Sequence, residues 1–253
     1  MDIIKPDWSA PSSVHALVTT RQGGVSLSPY SSFNLGDHVG DDLKSVATNR
    51  ALLRTFLPAD PLWLTQVHGA LVSTPAKRSL LLDADLEGDA AITNHANEVL
   101  VVMSADCLPI FFSNQEGSVV GVAHAGWRGL CCGVIENTVT ELLKLMPHSS
   151  PTALMAWMGP AIGPEAFEVG EDVYAAFADA SFAFPPDAFK PIAGSPGKYF
   201  ANLYLLAQSK LSALGVKQIS GGNFCTFTDQ ERFFSHRRDA TSGRFASLIW
   251  FTK

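Results

Sequence analysis

The stretch from Ser104 to Leu130, SADCLPIFFSNQEGSVVGVAHAGWRGL, decides the fold of this chain. Continuous apolar runs at 99–103 and 119–123 are typical of short strands in a sheet that is covered on both faces. Cys107 follows the first run, His124 follows the second, and a glycine-rich turn then leads into a predicted helix. The N-terminus of such a helix carries a partial positive charge and free N–H groups. We therefore expect the two strands to end side by side and to place Cys107, His124 and the helix N-terminus in one cleft.

A second histidine, His68, also ends an apolar run, residues 63–67, and is followed by glycine. Two imidazoles and one thiolate suit zinc, and three protein ligands leave a fourth coordination position for water or substrate, as in catalytic zinc sites. The pattern therefore predicts a metal site formed by His68, Cys107 and His124. Asp106 is the expected outer acceptor for the N–H of a ligand histidine, although a carboxylate there can equally cap a turn.

The same residues allow a second chemistry. Cys107 can act as a nucleophile with His124 as its base, while the nearby helix N-terminus lowers the pKa of the thiol. The two interpretations differ in whether His68 holds a metal or only shapes the pocket. A single buried histidine or cysteine is more often a packed residue than a ligand, so the metal prediction depends on all three residues converging.

The rest of the chain predicts a single domain of mixed α/β type that spans residues 1–253. Strands are expected at 14–20, 63–67, 90–93, 99–103, 108–112, 119–123, 154–158, 218–220, 233–236 and 246–251. Helices are expected from Asp41 or Asp42 to Leu57, and at 127–146, 172–180 and 202–214. We find no internal repeat and no low-complexity linker that divides the chain.

Composition argues against several classes of function. Of the 253 residues, 47% are hydrophobic, so a large core is available and disorder is not expected. Lys and Arg number 18 against 24 Asp and Glu, and this net charge of −6 without a basic stripe argues against a nucleic-acid partner. The N-terminus lacks the plan of a signal peptide, and the apolar runs are too short to cross a bilayer. We expect a cytoplasmic protein without a membrane partner, either a monomer or a weak homo-oligomer.

Arginines near the C-terminus predict an anion-binding wall. Four of them fall within a short span beside three phenylalanines: Arg232, Arg237, Arg238 and Arg244. Arg128 lies in the first turn of the predicted helix after His124, where the helix dipole disfavours a cation that has no other role. The alternative for each member of the C-terminal cluster is an ordinary solvated position, and for Arg128 it is packing on Trp127.

Motifs along nearly the whole chain resemble those of the YfiH family. The matching segments are Thr20-Arg-Gln-Gly-Gly-Val-Ser, Phe33-Asn-Leu-Gly-Asp-His-Val-Gly-Asp, Asn49-Arg, Gln66-Val-His-Gly, Ala105-Asp-Cys-Leu-Pro, His124-Ala-Gly-Trp-Arg-Gly, Gly159-Pro-Ala-Ile-Gly-Pro, Phe233-Phe-Ser-His-Arg-Arg-Asp and Thr241-Ser-Gly-Arg. They occur in the family's order, and His236 stands where we expect tyrosine. The family has been described as polyphenol oxidase or laccase-domain proteins, as purine nucleoside phosphorylase/adenosine deaminase enzymes, and as peptidoglycan editing factor.

The resemblance implies a four-layer α/β/β/α sandwich related to cysteine-hydrolase-like toxin domains. It implies that His68, Cys107 and His124 bind zinc, with Cys107, His124 and Asp106 at the catalytic centre. The implied activity is phosphorolysis of adenosine, inosine and methylthioadenosine, together with deamination of adenosine. Seven residues are expected to contact substrate or phosphate: Arg21, Asn34, Arg50, Gln66, Arg128, Arg237 and Arg238.

Two other enzymatic activities stay open at this point, beside a weaker option, a non-enzymatic binding module in which the metal is structural. The first is a cytoplasmic amidase that edits a misincorporated amino acid on a muramyl-nucleotide precursor of peptidoglycan, with Cys107 or a zinc-bound water as the attacking group. The second is a polyphenol oxidase with Cu²⁺ at the same three ligands. The chain has 7 histidines and no His-x-His pair, which argues against a conventional multicopper oxidase.

Overall fold

The computed structural model describes residues 2–80, 86–180 and 183–253. The strands are β1 Ile3–Ile4, β2 Val14–Thr19, β3 Pro61–Leu62, β4 Val72–Ser73, β5 Ala90–Thr93, β6 Val99–Ser104, β7 Leu108–Asn114, β8 Val120–Ala125, β9 Leu154–Met158, β10 Glu168–Gly170, β11 Phe189–Pro191, β12 Lys198–Ala201, β13 Gln218–Gly221 and β14 Phe245–Phe251. The helices are α1 Leu43–Arg54, α2 Pro75–Arg78, α3 Trp127–Cys132, α4 Val134–Lys144, α5 Glu171–Asp179, α6 Leu203–Ala213 and α7 His236–Asp239. Within these described ranges, no helix is long and apolar enough to cross a membrane.

Two sheets form the centre of the molecule. Sheet I has the strand order β13-β9-β7-β8-β5-β4, and sheet II has the order β1-β2-β14-β6-β3. Helix α1 packs on the outer face of sheet II through Leu53, whereas α4 and α6 pack on the outer face of sheet I through Leu142 and Leu206. The inner faces of the two sheets pack on each other. This is the expected single-domain α/β fold, with its layers in the order α/β/β/α.

The continuous apolar runs form strands because both of their faces are covered. Every residue of β6, β7, β8 and β9 is buried. In β7, Phe111 faces the core between the sheets and stacks on Trp157 with ring centroids 5.6 Å apart, while Ile110 and Phe112 face the helices. Burial of one such side chain stabilises the fold by about 1.5–3 kcal/mol. The inter-sheet core therefore fixes the position of the strand ends that carry the site.

Two segments that were expected to be strands have a different structure. Residues 63–67 are not a strand, because β3 stops at Leu62 and Thr65 makes only an isolated parallel bridge to Glu87. Residues 233–236 are not a strand either. Phe233 is a buried core residue, but the chain then turns into α7, where the Ser235 side chain caps the helix by accepting the N–H of Arg238.

The expected helix at 127–146 is two helices, because Gly133 separates α3 from α4 with a left-handed φ of 88°. The two apolar runs, expected to end side by side, lie in different sheets. Run 99–103 forms β6 in sheet II, whereas run 119–123 forms β8 in sheet I. Cys107 meets His124 through a different contact, the antiparallel pairing of β7 with β8.

Candidate metal centre

Three potential metal ligands converge at one end of sheet I. Cys107 directly precedes β7, and His124 lies near the end of β8, where the register sets it opposite Pro109. His68 comes from the loop that joins β3 to β4. The ligand atoms of these three residues all lie within 4.8 Å of one another. The structure therefore brings together the three residues that the sequence singled out.

The donor set fits a metal ion such as zinc. Tetrahedral zinc, with bonds of about 2.0–2.3 Å, spaces its ligand atoms roughly 3.3–3.8 Å apart, and the ligand atoms of this cluster all lie within 4.8 Å of one another. Two imidazoles and a thiolate are donors that zinc and copper both accept. His68 is exposed, Cys107 is partly buried and His124 is buried, so the cluster opens towards solvent on the His68 side.

Asp89 joins two of these ligands. Its Oδ1 lies 2.9 Å from His124 Nδ1 and accepts the backbone N–H of His68 at 3.0 Å. Its Oδ2 accepts the backbone N–H groups of Gly69 at 2.7 Å and Val67 at 3.2 Å. Burial raises the pKa of this carboxyl, but His124 and the N–H groups of Gly69 and Val67 outweigh burial and hold the pKa below its usual value. An ionised Asp89 therefore orients the His124 ring and leaves Nε2 for the cluster.

Asp106 does not take the outer-acceptor role expected from the sequence. Its carboxylate accepts hydrogen bonds from Thr226 Oγ1 at 2.6 Å, Ser235 Oγ at 3.1 Å and the Arg237 backbone N–H at 2.7 Å. The backbone explains this direction, because Asp106 has a left-handed φ of 87° in the turn between β6 and β7. Asp106 thus fastens the turn that carries Cys107 to the C-terminal segment. Asp89 takes the outer-acceptor role, and its sequence signal was a carboxylate directly before the apolar run 90–93.

The turn before α3 approaches the sulfur closely. A Cβ atom at Gly126 would lie 2.7 Å from Cys107 Sγ and 3.5 Å from His68 Cδ2, so a larger residue at this position would displace the cluster. Helix α3 begins at the next residue, Trp127. Its first N–H groups therefore lie beside the thiol, as the sequence predicted.

Without a metal, the contact between Cys107 and His124 favours a thiolate beside an imidazolium, because each charged form stabilises the other. Burial raises the pKa of the Cys107 thiol, but His124 and then His68 outweigh it and lower the pKa to about 6. Burial lowers the pKa of His124, but Cys107 and Asp89 outweigh it and raise the pKa to about 9. This environment favours the thiolate, the form that both a metal ligand and a nucleophile require.

The cluster lies in a cavity of about 460 Å³, a volume that suits a small-molecule ligand. Arg128, Arg237 and Arg244 line it. Arg237 uses Nη1 to donate to the Glu168 carbonyl at 2.7 Å, and Arg244 uses Nη1 to donate to the Ser242 carbonyl at 2.9 Å. Within the described ranges, Nε and Nη2 of both residues have no hydrogen-bond partner, and none of the three arginines pairs with a carboxylate. Such guanidinium groups favour an anionic ligand.

Arg21 and Arg238 lie outside this cavity, contrary to expectation, and line a separate one. Arg238 forms an ion pair with Asp239 at 2.8 Å and donates to the carbonyls of Thr226 and Phe233 at 2.9 and 3.0 Å. Arg238 therefore ties loops of the C-terminal segment together, because its N–H groups are taken by these partners.

Three further residues that were expected to contact substrate, Asn34, Arg50 and Gln66, instead contact other protein atoms. Asn34 is fully buried and bonds to neighbouring loop atoms. Arg50 pairs with Asp37 at 3.1 Å, away from the cavity lining. Gln66 does line the cavity, but its amide exchanges two hydrogen bonds with the Met103 backbone at 2.7 and 2.9 Å. These contacts position the cavity wall.

The fold and site define an α/β/β/α protein with a histidine–cysteine–histidine cluster in a cationic cavity. A family model described as multi-copper polyphenol oxidoreductase laccase matches residues 15–252. The chain therefore belongs to this laccase-like family, the YfiH family.

Relatives cover the chain almost completely. A Haemophilus influenzae protein named purine nucleoside phosphorylase is 50% identical over 99% of this chain and 100% of its own length. An Escherichia coli protein named purine nucleoside phosphorylase YfiH is 46% identical over 98% of both chains. A Neisseria meningitidis crystal structure matches with a TM-score of 0.89 at 40% identity over 100% of both chains, and a Bacillus licheniformis protein named YfiH matches with 0.85 at 29% identity over 94% of this chain and 93% of its own. The relatives therefore support the family, and the solved structures support the fold, over nearly the whole chain.

Proposed function

We propose that this chain is a zinc-dependent purine nucleoside enzyme that phosphorolyses adenosine, inosine and methylthioadenosine and also deaminates adenosine. The observation that carries the proposal is that the three-ligand cluster opens into a cavity lined by arginines without carboxylate partners among the described residues. The names of the Haemophilus and Escherichia relatives support phosphorolysis. In this proposal His68, Cys107 and His124 hold one metal ion per chain.

The residues around the cluster match the needs of phosphorolysis. The reaction joins a phosphate oxygen to C1′ of the ribose and breaks the N-glycosidic bond, whose electron pair leaves with the purine. Arg237 and Arg244 bind and orient the phosphate through their free N–H groups. Trp127 and Phe167 line the cavity and give it an apolar aromatic wall that suits a purine. Arg128 packs over the Trp127 ring at 4.3 Å and Arg237 over the Phe167 ring at 5.4 Å. When bound, zinc supplies Lewis acidity at an oxygen of phosphate, water or substrate.

Amide hydrolysis of a muramyl nucleotide is the second candidate. The lowered pKa of the Cys107 thiol beside His124 favours it, because a thiolate with an adjacent base is the usual arrangement of a cysteine nucleophile. An amino-acid-linked muramyl nucleotide also carries phosphates that the cavity arginines suit.

A product assay decides between the two candidates. Purified protein is incubated with adenosine, inosine and methylthioadenosine, with and without phosphate, and in parallel with an amino-acid-linked muramyl nucleotide. We expect free purine to form only with phosphate, inosine to form from adenosine without it, and elemental analysis to find about one zinc per chain. A much larger kcat/KM for amide cleavage would replace the purine proposal, and copper in place of zinc with oxidation of a phenol would favour the laccase-like activity.

The same assay tests the anion contacts. Arg237→Ala removes a charged donor from the cavity and should raise the KM for phosphate by roughly 10–100-fold, with a smaller change in the KM for nucleoside. Arg232→Ala is the matched control, because Arg232 pairs with Asp229 and does not line the cavity. An unchanged phosphate dependence in Arg237→Ala would remove this residue from phosphate binding.

A further inference from the structure

Phosphorolysis of a purine nucleoside needs a proton donor that the metal cluster does not supply. The purine leaves as an anion unless an acid protonates it, usually at N7. The cavity holds few groups that can carry this proton, since the three cluster residues bind the ion. Asp106 accepts three hydrogen bonds from protein donors and therefore acts as an acceptor only. The remaining imidazoles that line the cavity are those of His38 and His236.

His38 has a carboxylate neighbour. Its Nδ1 lies 3.5 Å from Asp37 Oδ1, and Asp37 Oδ2 is held by Arg50 Nη2 at 3.1 Å. Arg50 is fixed in turn by its Nε, which donates to the Leu35 carbonyl at 3.0 Å. His236 has no carboxylate within 4.0 Å in the described part of the chain. Of the two histidines, His38 is therefore the one with a carboxylate beside its ring within the described part of the chain, which favours it as the acid.

The loop that carries His38 is held on both sides of it. On one side, Asn34 Oδ1 accepts the Gly36 N–H at 2.9 Å, and Asn34 Nδ2 donates to the Gly36 carbonyl at 3.0 Å. On the other side, the Tyr30 hydroxyl donates to the Val39 carbonyl at 2.7 Å. His38 is itself exposed, so its ring can exchange protons with water.

The same loop contacts an arginine proposed to bind phosphate. A Cβ at Gly36 would lie 2.9 Å from Arg244 Cγ, so this glycine is what allows the loop to pack on the arginine. Asn34 Oδ1 also accepts the Arg244 backbone N–H at 2.8 Å. His38 and Arg244 therefore line one cavity from a single fastened unit.

The geometry points to His38 as the general acid for the purine leaving group, an assignment that rests on the proposed phosphorolytic function. As phosphate oxygen bonds to C1′, the C1′–N9 bond breaks and its electron pair passes into the purine. His38 Nε2 gives its proton to N7, and the purine leaves neutral. The imidazole then takes a proton from solvent. Asp37 and Arg50 act as positioning residues for this step.

The test compares two nucleosides whose leaving groups differ in their need for an acid. N7-methylinosine already carries a positive charge on the purine and leaves without protonation, whereas inosine does not. We expect His38→Gln to lower kcat for inosine with phosphate by about 100-fold or more and to change kcat for N7-methylinosine less than about threefold. Asp37→Asn should show the same selectivity with a smaller loss. His95→Gln is the matched control, because His95 is exposed and does not line the cavity.

The outcomes distinguish a failure of the His38 assignment from a failure of the proposed function. Equal losses on both nucleosides in His38→Gln would show a structural role and overturn the assignment, as would wild-type rates on inosine. If His236→Gln alone showed the leaving-group selectivity, the acid would be His236. A wild-type protein that cleaves neither nucleoside with phosphate overturns the proposed function, and the assignment with it.

Discussion

Asp89 is the residue on which the geometry of the cluster depends most. It is fully buried, and its two oxygens contact the His124 ring and three successive backbone N–H groups of the loop that carries His68. His68 itself has a left-handed φ of 59°, a conformation that an L side chain rarely adopts without support. The carboxylate provides this support, because it binds the N–H groups that the turned backbone presents.

Asp89→Asn should therefore weaken metal binding more than it weakens the fold. An amide has one acceptor oxygen in place of two, so part of the contact set is lost and an NH₂ group faces backbone donors. We expect the Kd for zinc to rise roughly 10–100-fold, and the free energy of unfolding of the metal-free protein to fall by about 1–3 kcal/mol. Competition against a chelating indicator measures the first quantity, and urea unfolding of the metal-free protein measures the second.

The exposed carboxylate of Asp60 offers a control, because it pairs with Arg54 at the surface, outside the cavity lining. Asp60→Asn should leave zinc affinity unchanged. If Asp89→Asn bound zinc as tightly as the wild type, the carboxylate would serve packing alone and the outer-acceptor role would be wrong.

The sequence could indicate the three residues of the cluster but not this support. His68, Cys107 and His124 each follow an apolar run and precede residues that turn the chain, so each could be placed at the end of a strand. Asp89 lies 21 residues from His68 and 35 from His124 along the chain, and no local pattern links them. The arginines show the same limit of prediction from sequence. Arg237 and Arg238 are adjacent in sequence, yet only the folded C-terminal segment determines which of them faces the cavity.

At the scale of elements, apolar runs identified the buried strands, while turns set by single residues escaped the pattern. The apolar residues of 127–146 keep helical spacing throughout, but the helix is interrupted at Gly133. The break lets α3 stay beside the cluster while α4 turns onto sheet I, where Val139 and Leu142 are buried. Two short helices therefore serve two purposes that one straight helix could not.

Gly133→Ala should destabilise the protein through the backbone alone. A Cβ at this position would meet nothing closer than Glu136 Oε2 at 3.7 Å, an ordinary contact, so sterics add little. The left-handed φ of 88° costs an L residue about 1–2 kcal/mol, and this is the expected loss in the free energy of unfolding by urea titration. Gly133→Asn should lose less, because asparagine tolerates this region better. A Gly133→Ala variant as stable as the wild type would mean that the α3–α4 junction rearranges without cost.

At the scale of the whole molecule, the cluster lies where the chain passes from one sheet to the other. His68 is in the connection from β3 of sheet II to β4 of sheet I, and Cys107 is in the connection from β6 of sheet II to β7 of sheet I. His124 ends β8 within sheet I. An ion shared by these residues would link both crossings to sheet I, so metal binding and global stability should be coupled.

Removal of the metal should therefore lower the Tm of the entire domain. An ion that binds only the folded state stabilises it by about 4 kcal/mol when free metal is 1,000 times Kd, which corresponds to roughly 8–16 °C in Tm for a chain of this length. Scanning calorimetry with and without a strong chelator measures the shift, and the single transition should move as a whole because the ligands belong to both sheet crossings. Cys107→Ala provides the matched comparison, since a chain that cannot hold the ion should have a Tm that the chelator does not change. A wild-type Tm that is equally insensitive would mean that the three side chains converge without binding a metal, and it would leave the thiolate of Cys107 as the reactive group of the cavity.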